Sequence, residues 1–215
     1  MKIAIITAMQ TEYDAVRELH DFSDGKAEIY GNEVYLIKSG MGKVHAAIAS
    51  ERACQKGVDL VINTGLAGGI DSSLEQGDIV LAKRVCYHDA WYGEPNAYGQ
   101  VQDMPLYYEA PADLISKISQ LAPDFRLGLT VTGDQFLTDV DKLKEIKKAF
   151  PEALATDMES AAVAQTCHIN KVPYMSLRII SDVVGKSGQM EQYENFWQQV
   201  PHKATEMIDR VLKVL

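Results

Sequence analysis

Four polar residues within one stretch have the types and spacing for acid–base chemistry: Asp157, Glu159, Arg178 and Asp182. Residues 155–160 open a helix with two acids, and the small-residue run that follows leads into a strand within 172–183, with an arginine inside it and an aspartate at its end. In an open α/β sheet, strand ends and helix starts form the ligand crevice, so these side chains are expected to meet there. An arginine inside an apolar strand is costly unless it is paired. The other groups expected at strand ends are Glu12, the glycines of 65–69 and Phe136. Two or more carboxylates beside an aromatic ring, with no basic cluster, suit a neutral polar substrate such as a sugar bearing a planar base. Cleaving a glycosyl bond takes one acid for the leaving group and one base for water. Residue types alone leave those two roles unassigned.

Each candidate also has a plain structural reading. Thr156 and Glu159 are three apart, the spacing of a capping box, so Glu159 could serve only backbone N–H groups. Asp157 could do no more than complement a helix dipole, and Glu12 could be an exposed helix-start acid. Arg178 could belong to a buried ion pair without function. Phe136 could be core, as aromatic rings usually are. His88 and Asp89 are read as structural, because neighbours of that kind more often are.

The elements that must position these residues are legible from periodicity. Lys2–Thr7 is a buried-type strand, followed by an amphipathic helix from about Gln10 carrying Glu12, Tyr13, Val16 and Leu19. Residues 27–30 and 33–37 flank a hairpin turn at Gly31-Asn32. A helix follows the Gly40-Met41-Gly42-Lys43 turn and stops at Gly57. That turn is no P-loop, since Val44 stands where Ser or Thr is needed. Residues 59–64 form a strand ending in a glycine loop, Gly65 to Gly69, and 78–88 form a long strand. The aromatic stretch from Trp91 to Tyr108 is too long for an idle connection and reads as a lid or a subunit contact. Helices at 112–121 and from Val140, a strand at 126–132, and a final helical region from about Met190 with a break near Pro201 complete the pattern. Strands alternate with helices throughout, so the class is α/β: one domain over residues 1–215, with a central mixed sheet between helical layers.

The net charge of −9 excludes non-specific nucleic-acid binding, which depends on Lys and Arg. No run reaches transmembrane length, and the N-terminus reads as a strand rather than a signal peptide. Cys54, Cys86 and Cys167 are scattered and odd in number. That fits a reducing cytoplasm better than a disulfide frame or a zinc site.

Taken together and in order, the motifs at 5–12, 39–44, 63–69, 87–90, 133–136, 157–159 and 178–182 resemble those of the 5′-methylthioadenosine/S-adenosylhomocysteine nucleosidases, which share a nucleoside phosphorylase-like fold. The resemblance implies the following roles. Asp182 protonates adenine N7, with Ser181 orienting its carboxyl group, and Glu12 deprotonates water with help from Arg178. Glu159 grips the ribose hydroxyls and Met158 packs on the sugar. Phe136 stacks near adenine, backbone at Leu137 reads its edge, and Gly68 approaches the ligand through its backbone. Met41 and Tyr193 border the 5′ pocket, closed by a partner subunit's loop around Met104 and Pro105 in a homodimer. The resemblance implies neither a metal nor an organic cofactor. Two residues depart from the family pattern: Asp157 where many relatives have Glu, and Leu66 where many have serine. An aminofutalosine nucleosidase, a purine nucleoside phosphorylase and a nucleoside-binding sensor domain are the competing readings. A phosphorylase would need basic groups for phosphate, and Glu12 stands there instead.

Overall fold

The computed structural model describes the backbone of residues 1–196 and 200–215, and side chains outside 197–205. In chain order the elements are β1 (Lys2–Thr7), α1 (Gln10–Arg17), β2 (Lys26–Ile29), β3 (Asn32–Lys38), α2 (Lys43–Cys54), β4 (Leu60–Gly69), β5 (Ile79–Tyr87) and β6 (Tyr108–Glu109). They continue with α3 (Ala112–Leu121), β7 (Arg126–Thr132), α4 (Val140–Ala149), β8 (Ala153–Asp157), α5 (Ser160–Asn170), β9 (Tyr174–Val183), α6 (Gln189–Phe196) and α7 (Val200–Leu212). Pro201 falls in the first turn of α7, where a missing N–H is tolerated. The expected break beside it coincides with residues 197–199, outside the described residues.

Alternation along β1 sets the layers. Ile3 and Ile5 face one core with Val16 of α1, Ile118 of α3 and Ile208 of α7. Ala4 and Ile6 face the other with Ala46 and Ala49 of α2 and Ala161 and Ala164 of α5. Alanines on both α2 and α5 allow those two helices a close approach; α5 is buried around most of its surface, whereas α2 buries one face, Ala46, Ala49, Ser50 and Ala53, and leaves Val44 and Ile48 exposed.

All nine strands belong to one mixed sheet. β1 runs parallel to β3 and β4, and β2 pairs antiparallel with β3. The hairpin turn is Tyr30-Gly31 rather than Gly31-Asn32, because Asn32 already pairs with Ile29. Both turn residues have positive φ, 48° and 77°, as a two-residue hairpin of this hand requires. The other half of the sheet curls back on itself. β4 pairs with β9, β9 with β5, β5 with β7, β7 with β8, and β8 returns to β4 through Gly68–Thr156 and Gly69–Ala155.

That closure corrects one expectation. The glycines at 65–69 are the end of β4, not a loop after it, since pairing with β9 continues to Gly69. It also changes how β9 aims its side chains. Ala67 pairs with Ile180 but Gly68 pairs with Asp182, leaving Ser181 as an extra residue in a bulge. Strict alternation would send Ser181 and Asp182 to opposite faces. The bulge turns both toward one cleft.

Candidate active site

The cleft, about 610 Å³ with its open mouth included, lies at the carboxyl ends of β1, β4, β8 and β9. Of the residues singled out in the sequence, Glu12, Met41, Leu66, Gly68, Phe136, Leu137, Asp157, Met158, Glu159, Ser181, Asp182 and Tyr193 line it, drawn from seven separate segments. Arg178 lies buried behind the wall, in contact with Asp157 and Glu159. Met104 and Pro105 do not line this chain's own cleft; Met104 packs against the α2–α5 core.

Glu12 is not an exposed helix-start acid. The turn between β1 and α1 carries it inward, where its Oε2 accepts from Ala8 N (3.0 Å) and Met9 N (2.9 Å) and its Oε1 accepts from Leu66 N (2.9 Å). Burial pushes its carboxyl upward, against the pull of these N–H bonds and of the Arg178 charge. Gly65 makes this possible. A Cβ there would stand 2.6 Å from Glu12 Oε1 and 2.9 Å from Arg178 Nη1, so any larger residue would push the two charged groups aside.

The helix start at α5 also departs from expectation. No capping box links Thr156 and Glu159; among the described residues Thr156 Oγ1 has no hydrogen-bond partner. Asp157 caps the helix instead, its Oδ1 accepting from Glu159 N (3.2 Å) and Ser160 N (3.1 Å). Asp157 also accepts from Thr132 Oγ1 (2.6 Å) and pairs with Arg178 Nε at 2.7 Å. Arg178 Nη2 donates to Asn63 Oδ1 and, at 3.1 Å, to Ser160 Oγ. The shorter Asp157 is therefore fully engaged in holding Arg178 and the start of α5.

Glu159 is thereby left for the cleft. Its Oε1 accepts from Gly42 N at 2.9 Å, and Arg178 Nη2 lies 3.7 Å from its Oε2. Burial, opposed by Arg178 and reinforced by Asp157, pushes its carboxyl up to about 7. Gly42 has φ +92°, and a Cβ there would meet Asp134 Oδ1 at 3.0 Å. The glycine turn thus lets its backbone approach Glu159 and Asp134.

On the opposite wall Asp182 is buried, and burial raises its carboxyl pKa. Its Oδ1 accepts from Ser181 Oγ at 2.5 Å. Ser181 Oγ also lies 3.3 Å from Ala67 O, so the hydroxyl can turn its proton to either neighbour and accept one from a protonated Asp182. Asp182 Oδ2 accepts from Gln189 Nε2 at 2.8 Å. Phe136 is 48 % exposed, which removes the core-packing alternative. It meets Tyr193 edge-on with ring centroids 5.0 Å apart.

His88 and Asp89 stay outside. The His88 ring packs over Gly133, where a Cβ would come within 2.4 Å, and burial lowers its pKa. Asp89 accepts from Lys43 Nζ (2.8 Å) and Asp134 N (3.0 Å). Sequence reasoning missed Gln135 in the wall and Asn63 and Gln189 behind it. Asn63 and Gln135 fall inside the motifs at 63–69 and 133–136 without an assigned role, and Gln189 lies in no motif; the folded contacts show what each does.

Two buried carboxyl groups, Glu12 and Asp182, therefore share one cleft with an exposed aromatic ring, and a pair of carboxyl groups is what glycosyl cleavage uses. The phosphorylase superfamily model matches residues 2–213. A 5′-methylthioadenosine/S-adenosylhomocysteine nucleosidase of Staphylococcus aureus is 35 % identical, covering 99 % of this chain and all of the relative. The nucleosidase of Neisseria meningitidis in complex with methylthio-immucillin-A superposes with a TM-score of 0.92 at 32 % identity, covering 100 % of this chain and 99 % of that one. The Streptococcus pneumoniae enzyme in complex with 8-aminoadenine gives 0.91 at 33 %, covering both chains completely. A futalosine hydrolase of Helicobacter pylori, at 22 % identity and 0.91 over 100 % of both chains, shares the fold. The chain belongs to the 5′-methylthioadenosine/S-adenosylhomocysteine nucleosidases of the phosphorylase superfamily.

Proposed function

We propose that the protein hydrolyses the N-glycosidic bond of 5′-methylthioadenosine and S-adenosylhomocysteine, and of 5′-deoxyadenosine, releasing adenine and the 5′-substituted ribose. The carrying observation is that two carboxyl groups line one cleft, Asp182 bonded by Ser181 and Gln189 and Glu12 held by three N–H groups. In the reaction the C1′–N9 bond breaks and its electron pair leaves with adenine. Asp182 delivers its proton to N7, so the base departs neutral. Water adds its oxygen to C1′ and gives its proton to Glu12, while solvent restores both groups to their starting states. The sugar passes through a cationic state, and the carboxylate charge beside it stabilises that state.

The remaining roles follow position. Glu159 accepts from the ribose hydroxyls, with its distal carboxyl oxygen toward Arg178. Met158 packs on the sugar, and Phe136 stacks on the base beside Tyr193. Gly68 lies close to Asp182, where a side chain would crowd Val184 and Thr156. Met41 and Tyr193 border the 5′ substituent, and Ser181 orients the acid. Arg178 does not touch water itself; it acts through Asp157, Glu159 and Glu12. A second copy of the chain closes the 5′ end with its loop around Met104 and Pro105. Thiol cysteines suit work in the cytoplasm.

Incubation with methylthioadenosine in phosphate-free buffer, followed by chromatography, tests the reading. Free adenine and methylthioribose are expected. A sugar 1-phosphate product, or an absolute need for phosphate, overturns it.

A further inference from the structure

Gln189 is the first residue of α6, a position usually open to water, yet only 8 % of it is exposed. A buried glutamine must place its amide hydrogens. Its Nε2 donates to Asp182 Oδ2 at 2.8 Å and to the Leu137 carbonyl at 2.9 Å. One nitrogen thus bridges the acid of β9 and the backbone that follows β7.

Adenine presents a comparable pattern. Its N7 acceptor lies next to the N6 amino donor on one edge of the base. A carboxylic acid that gives its proton to N7 through one oxygen turns the other toward the N6 hydrogens. A backbone carbonyl on the far side accepts the second of these. Resting on the hydrolase reading above, we propose that Gln189 is a built-in stand-in for the base. In the free protein its amide nitrogen occupies the place of the adenine amino group, and it must leave when substrate binds.

The local backbone makes departure easy. Among the described residues the other end of the amide is held by Gly185 N alone, at 3.3 Å. Gly185 and Gly188, with φ of +81° and +78°, bracket the short segment between β9 and α6, and glycine turns without steric cost there. The exchange also bears on the acid. The N–H from Gln189 favours the Asp182 carboxylate, and burial favours the neutral form. When the amide leaves and the base covers the site, one of the two hydrogen bonds that oppose protonation is gone, and the bond from Ser181 remains. Arrival of the base and retention of the proton are then linked through one side chain.

Calorimetric titration of adenine into wild type and Gln189→Ala, both checked by thermal melting, tests this. A displaced occupant competes with the ligand, so Gln189→Ala should bind adenine about fivefold more tightly, the weight of one net hydrogen bond. Its KM for methylthioadenosine should fall while kcat holds. Equal or weaker adenine binding by a folded variant, or a kcat loss at unchanged Kd, overturns the proposal. A wild-type crystal soaked in adenine decides independently of any variant: Gln189 still bonded to Leu137 O beside bound base refutes it. Wild type that fails to bind adenine removes the hydrolase reading and this inference with it, an outcome distinct from the others.

Discussion

Arg178 Nε lies 2.7 Å from Asp157 Oδ2, and each side chain is 1 % exposed. This ion pair is the support from which the cleft is built. Asp157 uses its remaining capacity on Thr132 and the first N–H groups of α5, which fixes Glu159 at the helix start. The same guanidinium faces Glu159 and offsets the charge of Glu12. Removing it leaves buried carboxylates without a counter-charge. Arg178→Met should lower unfolding free energy by about 3–5 kcal/mol at neutral pH, the usual cost of breaking a buried pair from one side. The loss should shrink toward pH 5, where the stranded carboxyls take up protons. Urea melts at both pH values check it; an equal loss at each would contradict the electrostatic cause.

Asp182→Asn keeps the shape of the side chain and an acceptor for Ser181 or Gln189, but it has no acidic proton for N7. Turnover of methylthioadenosine should fall at least about a hundredfold, the low end for a general acid, with inhibitor binding and melting temperature retained. A folded variant that releases adenine at close to the native rate would take the acid role from Asp182.

Glu12→Gln should also abolish hydrolysis, because an amide cannot take a proton from water. The substitution turns an NH2 group toward backbone N–H donors that now meet a carboxylate, so some stability should be lost as well. Single-turnover adenine release, measured below the variant's melting temperature, separates the two effects. Near-native release in that experiment would remove Glu12 from the chemistry.

Glu159→Gln is expected to weaken sugar binding and slow turnover, since the ribose hydroxyls lose a charged acceptor. It should also change the pH dependence of stability. Below 4.5, the ordinary value, the carboxyl is protonated in both folded and unfolded chains. Between there and about 7 the unfolded chain releases its proton while the folded one keeps it, so stability falls as pH rises through this window. Burial acts in the same direction on Glu12 and Asp182. Glu159→Gln should therefore flatten the slope without removing it. Denaturation midpoints across pH 4.5–7.5 read this directly, and an unchanged slope would mean that Glu159 titrates normally.

The loop around Met104 is expected to act in trans. Light scattering should give a dimer at assay concentration, and Met104→Ala should alter preference among 5′ substituents more than the rate with 5′-deoxyadenosine. A fully active monomer would count against the shared pocket.

Much of this was legible in the chain. Apolar runs at Ile3 to Ile6 and at Leu177 to Ile180, the second interrupted only by Arg178, marked the strands, because a strand buried on both faces reads as a continuous hydrophobic run. The acids of the cleft were recognisable because charged residues beside apolar strand ends need a reason to be there. What stayed hidden depended on contacts between distant segments. No local pattern shows that β4 runs on through five residues containing three glycines, since β9 and β8 supply the pairing that holds it. Nor does alternation show that Ser181 and Asp182 share a face; a bulge opposite Gly68 decides that. Thr156 and Glu159 have the spacing of a capping box, yet Asp157 takes the cap because Arg178 and Thr132 already hold it there. Gln189, which carries no motif at all, reaches the site only because α6 folds back over β9. Local sequence determined which residues seek burial and in what conformation, through periodicity and side-chain polarity. Tertiary structure alone decided which partners satisfied their hydrogen bonds and charges, because those partners lie far along the chain, 117 residues in the case of Gly42 and Glu159.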